Sequence, residues 1–242
     1  MRRFPGLWWW VALGACSAKP ADSRAVSPGM PPAPTCNLPG DLEVCQPECE
    51  AGNQESCAVL GLMYAQDGAP NNVAHAVALL QTSCAAKVPL GCGGLGSLYV
   101  EGIGVPKDVK KAQELFVFAC GGGDGLSCES LGGIYAMGMA GPPSITEAVK
   151  WYEKACDLGR PAPCAMVAAA IEDGALGPTA DRARVPLLLK RACVGDISTA
   201  CEMLGKAYER GERVVRDLRE ADRLYAKACS LGSQRGCQAA AR

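Results

Sequence analysis

Apolar residues recur three and four positions apart through most of the chain, which is the periodicity of amphipathic helices. Residues 57–64 form one such run and residues 73–84 form the next. Turn-forming residues separate the runs, as in the stretches 67–70, 101–106 and 138–143, which are rich in glycine and proline. The pattern therefore predicts pairs of helices, each about 12 to 14 residues long.

The helix pairs repeat at a fixed interval that is marked by cysteines. Two cysteines eight positions apart open each unit, and the second cysteines follow one another after 35, 36, 36, 37 and 36 residues. The dipeptide Leu-Gly, followed three residues later by tyrosine, returns at the same interval at Leu60, Leu95, Leu131 and Leu204. Such a period predicts a solenoid in which each unit packs on the next.

The spacing of eight constrains how a cysteine pair could be bridged. On one continuous helix the two residues would lie about 12 Å apart along the axis, whereas a disulfide holds its Cα atoms within about 7 Å. If the pairs are bridged, the chain must reverse between them. Glycine and proline in the intervening segments, such as Gly52, Pro89 and residues 121–123, allow this reversal.

Cysteine content and charge narrow the class of protein. The chain has 15 cysteines and one histidine in 242 residues, which favours an oxidising compartment where disulfides persist. The net charge is -1, and removing residues 1–15 would leave 22 basic against 25 acidic residues, a net charge of -3. This balance gives no electrostatic reason to expect nucleic-acid binding.

The N-terminal segment predicts export and a lipid anchor. Arg2 and Arg3 precede a short apolar run, so residues 1–15 are predicted to be a signal peptide too short to span a bilayer. The end of the run, up to Cys16, resembles the bacterial lipobox, which implies cleavage before Cys16 and its lipidation. Ser17 follows, and its identity resembles that of lipoproteins sorted to the outer membrane of Gram-negative bacteria. Residues 16–35, which are rich in proline, are predicted to be the lipidated tether.

The repeated units resemble the Sel1-like repeat family, in the cysteine-rich form found in the Helicobacter cysteine-rich proteins. The resemblance covers residues 49–242 and rests on the paired cysteines, Leu-Gly-x-x-Tyr, and Gly-x-Gly-Val-x-x-Asp, best seen in residues 101–108. It implies an all-α fold, a right-handed αα superhelix of about five helix-turn-helix repeats with one disulfide in each unit. The implied bridges are Cys49–Cys57, Cys84–Cys92, Cys120–Cys128, Cys156–Cys164, Cys193–Cys201 and Cys229–Cys237.

The fourth unit departs from this pattern. Val167 and Ala168 stand where Leu-Gly is expected, Ile171 replaces the tyrosine, and Pro186 comes early in the second helix. Proline is tolerated only in the first turn of a helix, so we expect this unit to be the least regular.

Two cysteines outside the array, Cys36 and Cys45, remain. A bridge between them would leave no odd thiol and would make residues 36–48 an N-terminal cap, but free or rearranged thiols are the alternative.

Metal and cofactor chemistry find little support in the sequence. Structural zinc sites use cysteines two to four apart, often with histidine, so we expect no metal and no cofactor. His75 is interpreted as a surface or packing residue.

Four function hypotheses remain: an envelope-anchored protein-interaction scaffold, a secreted factor recognised by another cell, a β-lactam-binding or hydrolysing protein, and a purely structural spacer. Some cysteine-rich relatives are described as β-lactam-binding proteins or weak β-lactamases, but no serine here begins a Ser-x-x-Lys motif, and Ser83 precedes Lys87 by four residues. We therefore favour an envelope-anchored scaffold that binds a protein or peptide on its concave face. The residues predicted to face this groove are Ser97, Glu129, Ser130, Glu202 and Lys206.

Overall fold

The computed structural model describes Cys36 and residues 41–241. This part of the chain contains helices and no strands. Its helices are α1 (Leu42–Glu50), α2 (Gln54–Asp67), α3 (Pro70–Ala85), α4 (Pro89–Glu101), α5 (Val109–Gly121), α6 (Gly125–Met137), α7 (Ile145–Asp157), α8 (Pro161–Glu172), α9 (Val185–Val194), α10 (Ser198–Arg210), α11 (Leu218–Ser230) and α12 (Gln234–Ala240).

The helices are arranged as a solenoid of helix pairs. The even-numbered helices α2 to α10 are the first helices of five units, and the odd-numbered helices α3 to α11 are the second helices. Each helix packs against the one before it and the one after it in the chain. Because contacts follow chain order, every unit buries its apolar face only against its neighbours. The predicted all-α solenoid is confirmed.

Turn residues determine where the helices stop and start. The first helices α2, α4, α6 and α10 end at glycines with a left-handed backbone, which glycine adopts without steric cost. Ser144 caps α7 by accepting a hydrogen bond from the Glu147 amide at 3.3 Å. In a capping box the Glu147 side chain would also accept a hydrogen bond from the Ser144 amide. That bond is not made, because the Ser144 amide donates to the carbonyl of Tyr135 instead.

Seven disulfides link the described cysteines, with Cα–Cα distances between 4.5 and 4.9 Å. Each repeat bridge joins the end of one unit's second helix to the start of the next unit's first helix. The chain reverses between the two cysteines, as the spacing required. The bridged pairs are Cys36–Cys45, Cys49–Cys57, Cys84–Cys92, Cys120–Cys128, Cys156–Cys164, Cys193–Cys201 and Cys229–Cys237.

The N-terminal end of the array is the helix α1, which carries both Cys45 and Cys49. Cys45 is bridged back to Cys36, and Cys49 is bridged forward to α2. The expected boundary between residues 48 and 49 therefore lies inside one helix, so the cap is continuous with the array.

The fourth unit is the least regular, as expected. Its second helix, α9, has 10 residues, whereas α5, α7 and α11 have 13. A short 3₁₀ turn at Arg182–Arg184 leads into α9. Pro186 lies in the first turn of α9, where its missing N–H costs no intrahelical bond.

Two further observations concern membranes. No helix among residues 41–241 is long and apolar enough to cross a bilayer. The predicted signal peptide, the tether and the lipidation site at Cys16 lie outside the described residues.

Candidate functional site

A hollow between the first helices α4 and α6 contains two of the predicted groove residues. Ser97 of α4 and Ser130 of α6 line this hollow, which measures about 230 Å³. Phe116 of α5 and Ile134 of α6 supply apolar side chains that are themselves almost completely buried. Met137, at the C-terminus of α6, lies at the edge and is 67% exposed. The hollow therefore combines an apolar floor, a flexible apolar edge and two hydroxyl groups.

The Ser97 hydroxyl is held by its own helix. Ser97 donates a hydrogen bond to the Gly93 carbonyl one turn earlier, at 3.2 Å, so its oxygen lone pairs can still accept a bond from a ligand.

Gly133 also lines the hollow, and a Cβ atom there would meet only Met137 Cε, at 3.6 Å, and the Tyr152 hydroxyl, at 4.0 Å. The absence of a side chain at this glycine helps to keep the hollow open.

Glu129 and Glu202 lie at the junctions between units. Each directly follows the second cysteine of its unit, and each contacts the residue that caps the next first helix. Glu129 Oε2 accepts a hydrogen bond from Arg160 Nε at 2.8 Å, and Glu202 Oε2 accepts one from Ser233 Oγ at 2.9 Å. A carboxylate at a helix N-terminus also interacts favourably with the helix dipole. These two side chains hold successive units together.

Glu129 also changes the environment of Tyr152. Burial, reinforced by the negative charge of Glu129, raises the pKa of Tyr152 above its ordinary value. The phenol of Tyr152 is consequently held in its neutral form over a wider pH range than in an unfolded chain.

Lys206 is exposed on α10 and belongs to a different part of the array. It lines a hollow of about 160 Å³ together with Leu189 and Met203. The ion pair between Glu172 and Arg213 closes one side of this hollow. Lys206 also lines a hollow of about 350 Å³ together with Glu202, between α10 and α12. Of the five predicted groove residues, Ser97 and Ser130 therefore share one hollow, Glu202 and Lys206 share another, and Glu129 lies at a unit junction.

Sequence reasoning missed Phe116, Met137 and Met139. It considered only variable positions on the first helices, whereas Phe116 comes from a second helix and the methionines flank the turn after α6. Phe116 could have been identified from its position in the repeat. It lies four residues before Cys120, and the equivalent residues Leu80, Tyr152 and Tyr225 also pack beneath first helices.

The residues considered for catalysis have structural surroundings. Ser83 is completely buried and donates a hydrogen bond to the Gln54 carbonyl at 2.9 Å, so it links the two helices of the first unit. His75 is exposed on α3, with its ring centroid 5.8 Å from that of Tyr64. Neither side chain has a neighbour that would activate it as a nucleophile or a base. The structure therefore gives no support to the β-lactamase alternative.

Metal-ligating side chains do not cluster in the described part of the chain. No group of three or more histidine, cysteine, aspartate or glutamate residues there is placed to hold a metal ion. All described cysteines are in disulfides, where their sulfurs carry no thiolate.

Comparison with solved structures shows which proteins share this architecture. A Sel1 repeat protein from Oxalobacter formigenes has 23% identity and a TM-score of 0.65, over 77% of this chain and 76% of that chain. A Sel1 repeat protein from Klebsiella pneumoniae has 17% identity and a TM-score of 0.50, over 82% and 96%. Cysteine-rich protein B from Helicobacter pylori has 26% identity and a TM-score of 0.41, over 55% and 94%. No curated protein matches the chain.

Comparison with protein families identifies the repeat itself. The Sel1 repeat family matches residues 54–88, 89–124, 126–159 and 198–233, which together make up more than half of the chain. The unmatched interval between 159 and 198 is the fourth unit, in agreement with its irregular second helix. The repeat period, the solenoid and this match lead to one conclusion: the chain belongs to the Sel1 repeat family.

Proposed function

We propose that this protein is an exported, lipid-anchored scaffold that binds a segment of a protein partner on its first helices. The observation that carries the proposal is the hollow between α4 and α6, where Ser97 and Ser130 face an apolar floor. Sel1-type solenoids generally bind protein partners, and stacked helix pairs present long surfaces suited to extended segments.

The chemistry of the hollow favours a segment with one large apolar side chain. Phe116 and Ile134 would contact that side chain, while the serine hydroxyls and Glu101 would meet polar groups of its backbone. Met137 is flexible and exposed, and methionine is a residue that adapts its shape at binding surfaces. We therefore expect recognition by shape and burial more than by charge.

Export is supported by the seven disulfides, because such bridges persist in oxidising compartments. The lipobox-like sequence that ends at Cys16 supports a membrane anchor, and Ser17 supports the outer membrane as its site. The proline-rich residues 17–35 would hold the solenoid away from the lipid surface.

The binding proposal is tested by photocrosslinking in living cells. A photoreactive phenylalanine analogue replaces Met137 in the full-length protein, and the control carries it at Val215, which is 88% exposed in the loop before α11. We expect a discrete adduct from position 137 that disappears when the hollow is filled by Ser97→Arg and Ser130→Arg. Identical adducts from both positions, or no discrete adduct from position 137, would contradict the proposal.

The anchor is tested separately. The Cys16→Ala variant should lose incorporation of labelled palmitate and should leave the outer-membrane fraction, while its disulfides remain formed. Palmitate labelling that persists in this variant would exclude Cys16 as the lipidated residue.

A further inference from the structure

A second and larger hollow lies at the fourth unit, on residues that the first-helix site does not use. The turn between α7 and α8 forms one wall, with Gly159, Arg160 and Pro161, and the exposed side of α9 forms the other. Its volume is about 470 Å³, roughly twice the value of about 230 Å³ for the hollow between α4 and α6.

The floor of this hollow is apolar and exposed. Leu187 is 57% exposed and Val194 is 71% exposed, although both belong to an otherwise well-packed helix. Leu188 and Leu189, on the other side of α9, fill the core. Large aliphatic side chains that remain in water beside a concavity mark a surface for another molecule.

The rim of the hollow is predominantly cationic. Arg160, Lys190 and Arg191 surround the floor, and Asp157 is the one acidic residue in the lining. Arg191 pairs with Asp157 at 3.0 Å, and Arg160 pairs with Glu129 at 2.8 Å. Among the described residues, Lys190 forms no ion pair within 4.0 Å. The rim therefore has a net positive charge in a chain whose net charge is -1.

This combination distinguishes the fourth unit from the units on either side of it. The four α9 positions that line the hollow are Leu187, Lys190, Arg191 and Val194. Each second helix has a cysteine near its C-terminus, from which equivalent positions can be counted. In the second helices of the third and fifth units, these four positions carry mainly charged or small residues. They are Lys150, Glu153, Lys154 and Asp157 in α7, and Arg223, Ala226, Lys227 and Ser230 in α11.

We infer that this surface, defined by Arg160, Pro161, Leu187, Lys190 and Val194, binds an acidic segment of a protein partner. A large apolar side chain of that segment would enter the hollow, and flanking aspartate or glutamate carboxylates would meet the cationic rim. A peptide fits better than a lipid surface, because the exposed apolar residues line a concavity that can enclose one large side chain. The segment would bind through helices that are separate from the α4 and α6 site.

The test uses the mature lipidated protein in detergent micelles and fluorescent eight-residue peptides. Each peptide carries a central Leu, Phe or Trp between glutamates, and matched peptides replace the central residue by Ala or the glutamates by Lys. Fluorescence anisotropy should show saturable binding of at least one acidic apolar peptide and at least tenfold weaker binding of its matched peptides.

Variants locate the binding. Leu187→Glu and Lys190→Glu should each weaken binding at least tenfold, because one removes apolar surface and the other reverses a rim charge. Lys110→Glu makes the same charge change on an exposed lysine of α5 and should have less than a twofold effect. The Ser97→Arg, Ser130→Arg variant should bind the peptide normally, so that failure of the first-helix site would not be mistaken for failure of this one.

Three outcomes would overturn the inference. They are the absence of saturable binding by every acidic peptide, an equal loss in the Lys110→Glu control, and displacement of the peptide by phosphatidylglycerol vesicles. The last result would assign the surface to anionic lipid.

Discussion

A Cβ atom on Gly132 would overlap the ring of Tyr152, so the first and second helices of the third unit meet where one has no side chain. Equivalent contacts occur in other units. A Cβ on Gly96 would lie 2.8 Å from the Phe116 ring, and one on Gly205 would lie 3.0 Å from the Tyr225 ring. The glycine of the Leu-Gly motif is therefore needed for close helix packing against a large side chain four residues before the next first cysteine.

The contact predicts opposite effects for two adjacent glycines. Gly132→Ala should lower the free energy of unfolding by about 1 to 2 kcal/mol, because the overlap with Tyr152 outweighs the better helix propensity of alanine. Gly133→Ala is the matched control, since a Cβ there has nothing closer than 3.6 Å, and it should gain up to about 1 kcal/mol. Chemical denaturation of the oxidised protein measures both, and equal effects would contradict this account of the motif.

The central bridges should contribute strongly to stability. Replacing both cysteines of the Cys120–Cys128 bridge by alanine removes a constraint that closes a loop of eight residues, which is worth about 2.5 kcal/mol in the chain-entropy model. The same replacement at Cys229–Cys237 should mainly release α12, which has seven residues and packs mainly on α11. Hydrogen exchange should therefore show global destabilisation in the first variant and local fraying in the second.

Lys87 occupies a left-handed backbone position that glycine holds at four of the other five repeat bridges and Asp196 holds at the remaining one. Its φ is 67°, and its ammonium group lies 5.5 Å from the centre of the Phe118 ring in the next second helix. Lys87→Ala should be destabilising, because it loses this contact and keeps the strained backbone. Lys87→Gly relieves the strain and should be more stable than Lys87→Ala by about 1 kcal/mol. Equal stability of the two variants in urea denaturation would show that the turn adapts without cost.

Stability at high pH should depend on Tyr152. Since the fold raises the pKa of this phenol, an unfolded chain releases the proton at lower pH than the folded protein does. The contribution of Tyr152 is therefore fully present below about pH 10, the ordinary tyrosine value, and is lost as the pH rises through the folded pKa. Tyr152→Phe should show a shallower fall in unfolding free energy above pH 10 than the unmodified protein. Below pH 9 the two proteins should have the same pH dependence, and the same slope above pH 10 would contradict the prediction.

The ion pair between Glu129 and Arg160 should contribute to the stacking of the third unit on the fourth. Both side chains are partly exposed, so Glu129→Gln should cost no more than about 1 kcal/mol. The effect should be greatest at low ionic strength and should shrink in 1 M salt, where the Debye length falls to about 3 Å. A loss of stability that is independent of salt would assign the role of Glu129 to hydrogen bonding alone.

The amino-acid sequence determined the repeat, the number of units and the irregular fourth unit. These features are local, because each unit is defined by cysteines eight apart and by contacts with adjacent units only. Pro186 was expected to be tolerated only in a first turn, and α9 begins one residue before it. The helix α1 was not predicted, because residues 36–48 were assigned only to a cap, and the position of this helix depends on disulfides to both sides.

Only the tertiary structure decided which side of each first helix faces a hollow. Glu129 and Ser130 are adjacent in sequence, but successive residues of a helix project about 100° apart. Glu129 consequently reaches the next unit, while Ser130 lines the hollow with Ser97. That outcome depends on the angle at which neighbouring units pack. Contacts such as Gly94 against Leu62 and Leu80 of the preceding unit, where a Cβ would lie 2.8 Å from either side chain, set this angle through side-chain volume. Variable positions on a helix identify candidates for binding, and the packing between units selects among them.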